Sequence, residues 1–444
     1  MSFVTSREYP RAILRPLQLI STVNYGQPRT LQSSSLPETS SAAWRATSHV
    51  FSGTGSREAH PAWPPTSFEQ DPSEIPDDDK YNIPYNPEST TSQQNIYHMY
   101  DESNPERVHE TGLVPVPSLV AKRYIPINNT QKADHINRDK ITLLMLPGMG
   151  VPKEMFEPFL EILLLKLHDT DARVDEIWSI DMPLSGQTAL SNPQGYLYGN
   201  EKDITRDILL FVTSYLPLTA TEVLPQNLAP RQPTSHAQQP VRQNVHVLAH
   251  SLGAQCAMLA AAHAPDIFAS LTVLDPAIIP PGKISKAFTK LPKDALCTNI
   301  KYRHPSLESV VTELRTNKRT RRWTKRVMDI FVRQGVVPEG DDFRLAAHPR
   351  LEWALYYDQE TPTQCYDRLA DIKPPLHTIV PARPFAIPPK QLEAVVGELP
   401  QTTRVTWIAD TTHQLPFERP EECASAAALW LGDIAQKTLE RARL

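Results

Sequence analysis

The chain has 444 residues, 40% of them apolar, a net charge of −5, and 43 prolines against 15 glycines. That apolar share builds a substantial core, the proline excess announces long irregular stretches, and the slightly acidic balance excludes a nucleic-acid surface. No apolar run reaches membrane-spanning length, and the opening MSFVTSREYPRAIL is too polar for a secretory signal.

Residues 1–105 are rich in Ser, Thr, Pro and acidic residues and lack hydrophobic periodicity, so they read as a largely disordered or loosely attached extension, with Trp44 and Trp63 as possible tethers. From Gly112, GLVPVPSLVAKRYIPI predicts a pair of short strands joined by a turn, and ITLLMLPG predicts a strand buried on both faces. Strand and helix then alternate: a helix over 154–168, a strand over 175–181, a helix over 203–215. A Pro/Gln-rich spacer over 216–243 has no period and reads as a long surface loop. Val245 to Ala249 and Ser270 to Asp275 predict two more buried strands, separated by the Ala-rich helical pattern that follows Ser251. Such βα repetition implies a mostly parallel sheet with helices on both faces.

Residues 276–374 are mostly polar and helical in pattern, clearest over 306–335 and 349–357, and read as a cap inserted into a core that spans 106–275 and 375–438. Within the cap, RTNKRTRRWTKR (315–326) reads as a solvated helix face, with a phosphate or membrane contact as its alternative. After the cap come a strand at 376–382, a helix at 389–398, a strand at 403–409 and a closing helix at 424–437. The tail 439–444 ends in Ala442-Arg443-Leu444, a small–basic–Leu tripeptide of the type read by the peroxisomal import receptor; otherwise the chain is expected to be cytoplasmic. Four scattered cysteines (Cys256, Cys297, Cys365, Cys423), with no metal-ligand spacing, read as reduced thiols, and no metal or cofactor is expected.

The most informative stretch is NVHVLAHSLGAQCAMLAAAHA (244–264). A strand breaks at His250-Ser251-Leu252-Gly253 and a helix starts at once, with Ala249 and Gly253 small on either side of the serine. This is the strand–turn–helix setting of a nucleophile elbow, with Ala replacing the first glycine of G-x-S-x-G. A serine capping the following helix would also account for the residue type, but not for the small neighbours.

The stretch from about Gly112 to Lys437 resembles the α/β-hydrolase superfamily in three features met in order. They are Pro147-Gly148-Met149-Gly150 after a buried strand, which looks like the family's oxyanion loop, the Ala249–Gly253 elbow, and Asp410-Thr-Thr-His413-Gln-Leu-Pro416 between the last strand and last helix. The resemblance implies an α/β-hydrolase fold with Ser251 as nucleophile, His413 as general base, and the backbone N–H groups of Met149 and Leu252 as oxyanion donors. His250 and His246 read as framework residues, and His348 and His377 as weaker alternatives to His413. The acid is expected after the penultimate strand, yet residues 376–390 contain no Asp or Glu. The family's other location is the end of the strand after the elbow helix, where Asp275 stands; Asp371, Asp410 and Asp358 remain alternatives. Asp181 is assigned no chemistry. The tail, the cap and the absent late acid also resemble fungal peroxisomal hydrolases of the lipase or toxin-biosynthesis type. The expected activity is hydrolysis of carboxylic esters or acyl thioesters derived from lipids. An acyltransferase or a non-catalytic ligand-binding member of the same fold is the alternative.

Overall fold

The structure, a computed structural model, describes residues 44–54, 116–127, 139–183, 185–192, 201–220, 223–231, 241–280, 300–347, 360–384 and 387–442. Its strands in chain order are β1 (Trp44–Ser52), β2 (Ser118–Pro126), β3 (Asp139–Leu146), β4 (Ala172–Ile180), β5 (Val245–His250), β6 (Ser270–Leu274), β7 (Arg303–His304), β8 (Val336–Glu339), β9 (Asp342–Leu345), β10 (Leu376–Arg383) and β11 (Thr403–Thr412). Eight of them form one sheet in the order β1-β2-β4-β3-β5-β6-β10-β11. The β1–β2 and β2–β4 pairs are antiparallel and every other pair is parallel.

The central strands are apolar throughout because both faces are covered. Alternation sends Leu144, Leu146, Val247, Ala249, Leu271 and Val273 into one cluster and Leu143, Met145, Leu248, Leu274 and Ile379 into another. The first cluster is roofed by the helices Ser251–His263 and Glu201–Leu210, the latter running on as a π-helical turn, Phe211–Tyr215. The second lies under Glu157–Leu167 and the 23-residue C-terminal helix Pro420–Ala442. The elbow helix is buried on all sides, which explains its Ala-rich, non-amphipathic composition.

Strand order reverses between β3 and β5: β4 lies on one side of this parallel pair and β6 on the other. A crevice opens at the carboxyl ends of strands where order reverses, and open α/β sheets bind their ligands there. Pro147 follows β3, Ser251 follows β5, Asp275 follows β6, and His413 follows β11.

Three expectations need correction. Residues 44–52, inside the stretch read as lacking any packed element, form the outermost strand, paired with β2 along its whole length from Trp44↔Pro126 to Ser52↔Ser118. Of the two strands expected from Gly112 onward, one is β2, and residues 112–115 lie outside the described residues. Part of the aperiodic spacer docks: the Val50 N–H donates to the Gln226 carbonyl (2.7 Å), the Leu228 N–H donates to the Val50 carbonyl (2.8 Å), and His49 Nδ1 meets the Pro225 carbonyl (2.7 Å). It thereby covers an edge that would otherwise offer unpaired backbone groups. Finally, the insert after β6 is not wholly helical. Beside the helices Leu307–Thr316, Lys325–Gly335 and Glu360–Asp367 it holds a three-stranded antiparallel sheet, β7-β9-β8. Residues 349–357 lie outside the described residues.

Candidate active site

Ser251 opens the elbow helix with φ +55°, a left-handed conformation that L residues adopt only when the surroundings force it. His250 before it is extended (φ −125°, ψ 140°), so the backbone turns sharply at the serine. The small neighbours have a steric cause. A Cβ on Gly253 would stand 2.5 Å from the Leu146 carbonyl oxygen and closer still to that of Pro147, while one on Gly148 would stand 3.1 Å from Ser251 Cβ and 2.9 Å from His250 Nδ1. Elbow and β3 loop therefore touch through glycine on both sides. Gly150, at φ +69°, completes the turn of that loop.

The structure brings Ser251, His413 and Asp275 into line. His413 Nε2 lies 2.8 Å from Ser251 Oγ, and His413 Nδ1 lies 2.6 Å from Asp275 Oδ2. A carboxylate can only accept, so Nδ1 carries the proton. In the neutral ring, Nε2 then presents its lone pair to the serine hydroxyl. The Asp275 side chain is only 3% exposed. Its backbone takes φ +40°, and its N–H donates to the Ile379 carbonyl (3.0 Å), which pins the end of β6 against β10.

The other carboxylates stand elsewhere. Asp371 pairs with Arg368 (3.0 Å), and Asp410 turns outward to Arg322 (3.1 Å) and is 62% exposed on its side chain. Asp358 and His348 lie outside the described residues. His377 is buried within β10 with Nε2 2.9 Å from Thr406 Oγ1, away from the serine. Leu252 is the first residue after the serine, so its N–H is among those a helix N-terminus leaves unpaired. Met149 sits half-buried at the turn following Gly148. Cys256, Cys365 and Cys423 are buried thiols; Cys297 lies outside the described residues.

His250 does more than fill space. Its Nε2–H donates to the backbone carbonyl of His413 (2.8 Å), and its ring lies 4.9 Å from the His413 ring and 5.6 Å from Phe417. Burial, and then the neighbouring His413, push its pKa well below the usual histidine range, so it stays a neutral donor. Nothing in the sequence distinguishes this from a filler ring; only the position immediately before the serine hints at it. The loop bearing His413 is further held by Glu418, whose carboxylate accepts from the Thr412 N–H (3.1 Å) and Thr412 Oγ1 (2.5 Å), and by the fully buried Leu415 and Phe417. From the cap, Arg322 donates to the Asp410 carbonyl and pairs with Glu418 (3.2 Å), and the Thr324 N–H donates to the Phe417 carbonyl (3.0 Å). The middle of the basic run 315–326 is a turn between the two cap helices rather than a helix face: Arg315, Lys318, Arg321, Lys325 and Arg326 are exposed to solvent, whereas Thr320 and Trp323 are buried.

Behind the β3 loop, the buried Asp181 carboxylate accepts from the Lys153 N–H (2.9 Å), Lys153 Nζ (2.7 Å) and the Gln187 N–H (2.9 Å). Gly186 (φ +48°) leaves no room for a side chain beside it. This ion pair ties the exit of the loop to the segment after β4.

A family model described as the alpha/beta hydrolase family matches residues 143–426, and the chain belongs to that family of hydrolases. Among solved structures, the peroxisomal α/β-hydrolase Lpx1 of Saccharomyces cerevisiae is similar over 74% of this chain and 83% of its own, at 18% identity and a TM-score of 0.56. An M. tuberculosis esterase aligns over 72% of this chain and 90% of its own, at 12% identity and a TM-score of 0.46. A thioesterase domain of the curacin biosynthetic pathway aligns over 71% and 95%, at 13% identity and the same TM-score, 0.46. No curated protein matches.

Proposed function

We propose that the protein hydrolyses carboxylic esters or acyl thioesters through an acyl-enzyme on Ser251. The observation that carries this reading is the pair of short contacts, 2.8 Å from Ser251 Oγ to His413 and 2.6 Å from His413 to Asp275, on a serine held at positive φ. A serine hydroxyl is barely ionised at neutral pH and needs a base within reach. As Oγ bonds to the acyl carbon, His413 Nε2 takes its proton, and Asp275 stabilises the imidazolium that forms. The carbonyl oxygen becomes an oxyanion, for which the Leu252 and Met149 N–H groups are the proposed donors, each worth roughly 10²–10³ in rate. Collapse breaks the bond to the leaving oxygen or sulfur, which receives the proton from His413. Water then repeats the sequence and frees the acid and the serine.

A fluorophosphonate probe tests this directly. Wild-type protein should be labelled and Ser251→Ala should not; equal labelling of the two, or none of the wild type, removes the serine from the chemistry and leaves a non-catalytic ligand binder. The tripeptide Ala442-Arg443-Leu444 supports a peroxisomal destination and a lipid-derived substrate. Deleting Leu444 from a fluorescently tagged chain should disperse a punctate signal into the cytosol, and an unaltered pattern would remove the peroxisomal assignment.

A further inference from the structure

A cavity of ≈ 40 Å³ lies between the β3 loop and the cap. Met149 and Gly150 line it on one side, Gln414 adjoins it beside His413, and Arg319, Thr320 and Trp323 close it from the cap. Roughly 10–15 Å³ suffices for one water, so the space holds a group of about three heavy atoms. That is too small for an aliphatic chain and the right size for a compact polar group.

Its lining is unusually short of partners. Arg319 Nε, Trp323 Nε1 and Gln414 Oε1 are all buried with no hydrogen-bond partner. Among the described residues no carboxylate forms an ion pair with the Arg319 guanidinium, although its neighbours Arg322 and Arg326 both have one. Most buried polar atoms in folded proteins are paired, and leaving one unpaired is costly, more so beside an uncompensated charge. Three orphaned groups around one small space, two of them donors and one of these cationic, describe a receptor for something that accepts hydrogen bonds and carries negative charge. The charge of Arg319 also helps hold His250 neutral, which places the guanidinium near the elbow.

We propose that this cavity is a recognition subsite for a compact anionic group, a carboxylate, on the ester or thioester substrate, with Arg319 as its specificity-determining residue. The proposal rests on Ser251 being the nucleophile. A guanidinium meets a carboxylate through paired N–H donors, and such charge-assisted bonds are about twice as strong as neutral ones. A substrate so anchored has its carbonyl held beside Met149 and Ser251, whereas a purely aliphatic acyl group leaves the Arg319 and Trp323 donors unpaired.

The test compares p-nitrophenyl hemisuccinate with p-nitrophenyl butyrate, which differ by a terminal carboxylate on the acyl side, and 4-carboxyphenyl butyrate with phenyl butyrate, which differ by one on the alcohol side. In at least one pair the wild-type protein should favour the charged ester by about 10–100-fold in kcat/KM. Arg319→Gln should bring that ratio toward one, and Arg319→Lys should keep part of it, with unchanged melting confirming a folded chain. Neutral esters turned over with no charged preference in either pair, or a preference that survives in Arg319→Gln, would overturn the anion subsite while leaving the nucleophile in place. Failure to turn over any ester, together with no fluorophosphonate labelling, would overturn the nucleophile and the subsite together.

Discussion

His250 holds His413 from behind: its Nε2–H donates to the His413 backbone carbonyl across 2.8 Å while the two rings lie 4.9 Å apart. The residue before the serine thus fixes the main chain of the histidine that the serine contacts. His250→Phe keeps a buried ring but leaves that carbonyl unpaired, and a buried acceptor left without its partner costs about 1–3 kcal/mol. The variant should lose about 10–100-fold in kcat with little change in KM. A KM rise with kcat intact would place its role in substrate binding instead.

Asp275 is the carboxylate that meets His413 Nδ1, across 2.6 Å. Asp275→Asn should therefore cut ester hydrolysis by roughly 10⁴-fold, because the amide no longer stabilises the imidazolium or holds the correct tautomer. Asp371→Asn and Asp410→Asn should retain near wild-type turnover. A collapse in either of those, with Asp275→Asn active, would reassign the acid.

Gly253 has no space for a methyl group, since a Cβ would stand 2.5 Å from the Leu146 carbonyl. The obstacle is backbone, which cannot rotate away. Gly253→Ala should push β3 and the elbow apart, lowering stability by roughly 1–3 kcal/mol and reducing fluorophosphonate labelling. Unchanged melting and labelling would show the two segments to be less tightly apposed.

Two histidines give the fold an acid limit. Burial holds the pKa of His246 down at about 4 and that of His377 at about 3, against about 6.5 in an unfolded chain. Between pH 6.5 and 4 the unfolded state binds protons that the folded state refuses, so stability falls as pH falls. Each group contributes about 1.4 kcal/mol per pH unit once fully engaged, and the effect is absent above pH 7. Denaturant titrations at pH 7.5 and 5.0 should show this loss, and His377→Phe should reduce it. Equal stability at both values would mean that these rings are hydrated.

Much of the site was legible in the sequence, and the reason is local. Ser251 lies in a five-residue pattern whose steric logic needs no partner from elsewhere, and His413 follows a strand at a fixed station of the fold. Asp275 could be reached only by the emptiness of 376–390, because a carboxylate at a strand end looks the same whether it orients a base or opens a turn. Arg319, Trp323 and Gln414 left no trace, since their meeting depends on how the cap docks, and charge density in 315–326 says nothing about which face of that turn is buried. The strand Trp44–Ser52 was hidden for a similar reason. Its partners, β2 and residues 225–228, are distant in sequence, and polar surroundings mask its pattern.

That outer strand also bears on the order in which the molecule assembles. β1 reaches β2 only by bringing together residues 52 and 118, far apart along the chain, and closure entropy opposes such a contact until its partner is already in place. It belongs with the late-forming parts of the sheet and should be among the first to let go under mild denaturant. Once released, it bares the outer edge of β2, and a bared strand edge can pair with another copy of the chain. A shortened chain starting at residue 106, where a change in sequence texture invites the cut, would carry that edge permanently exposed.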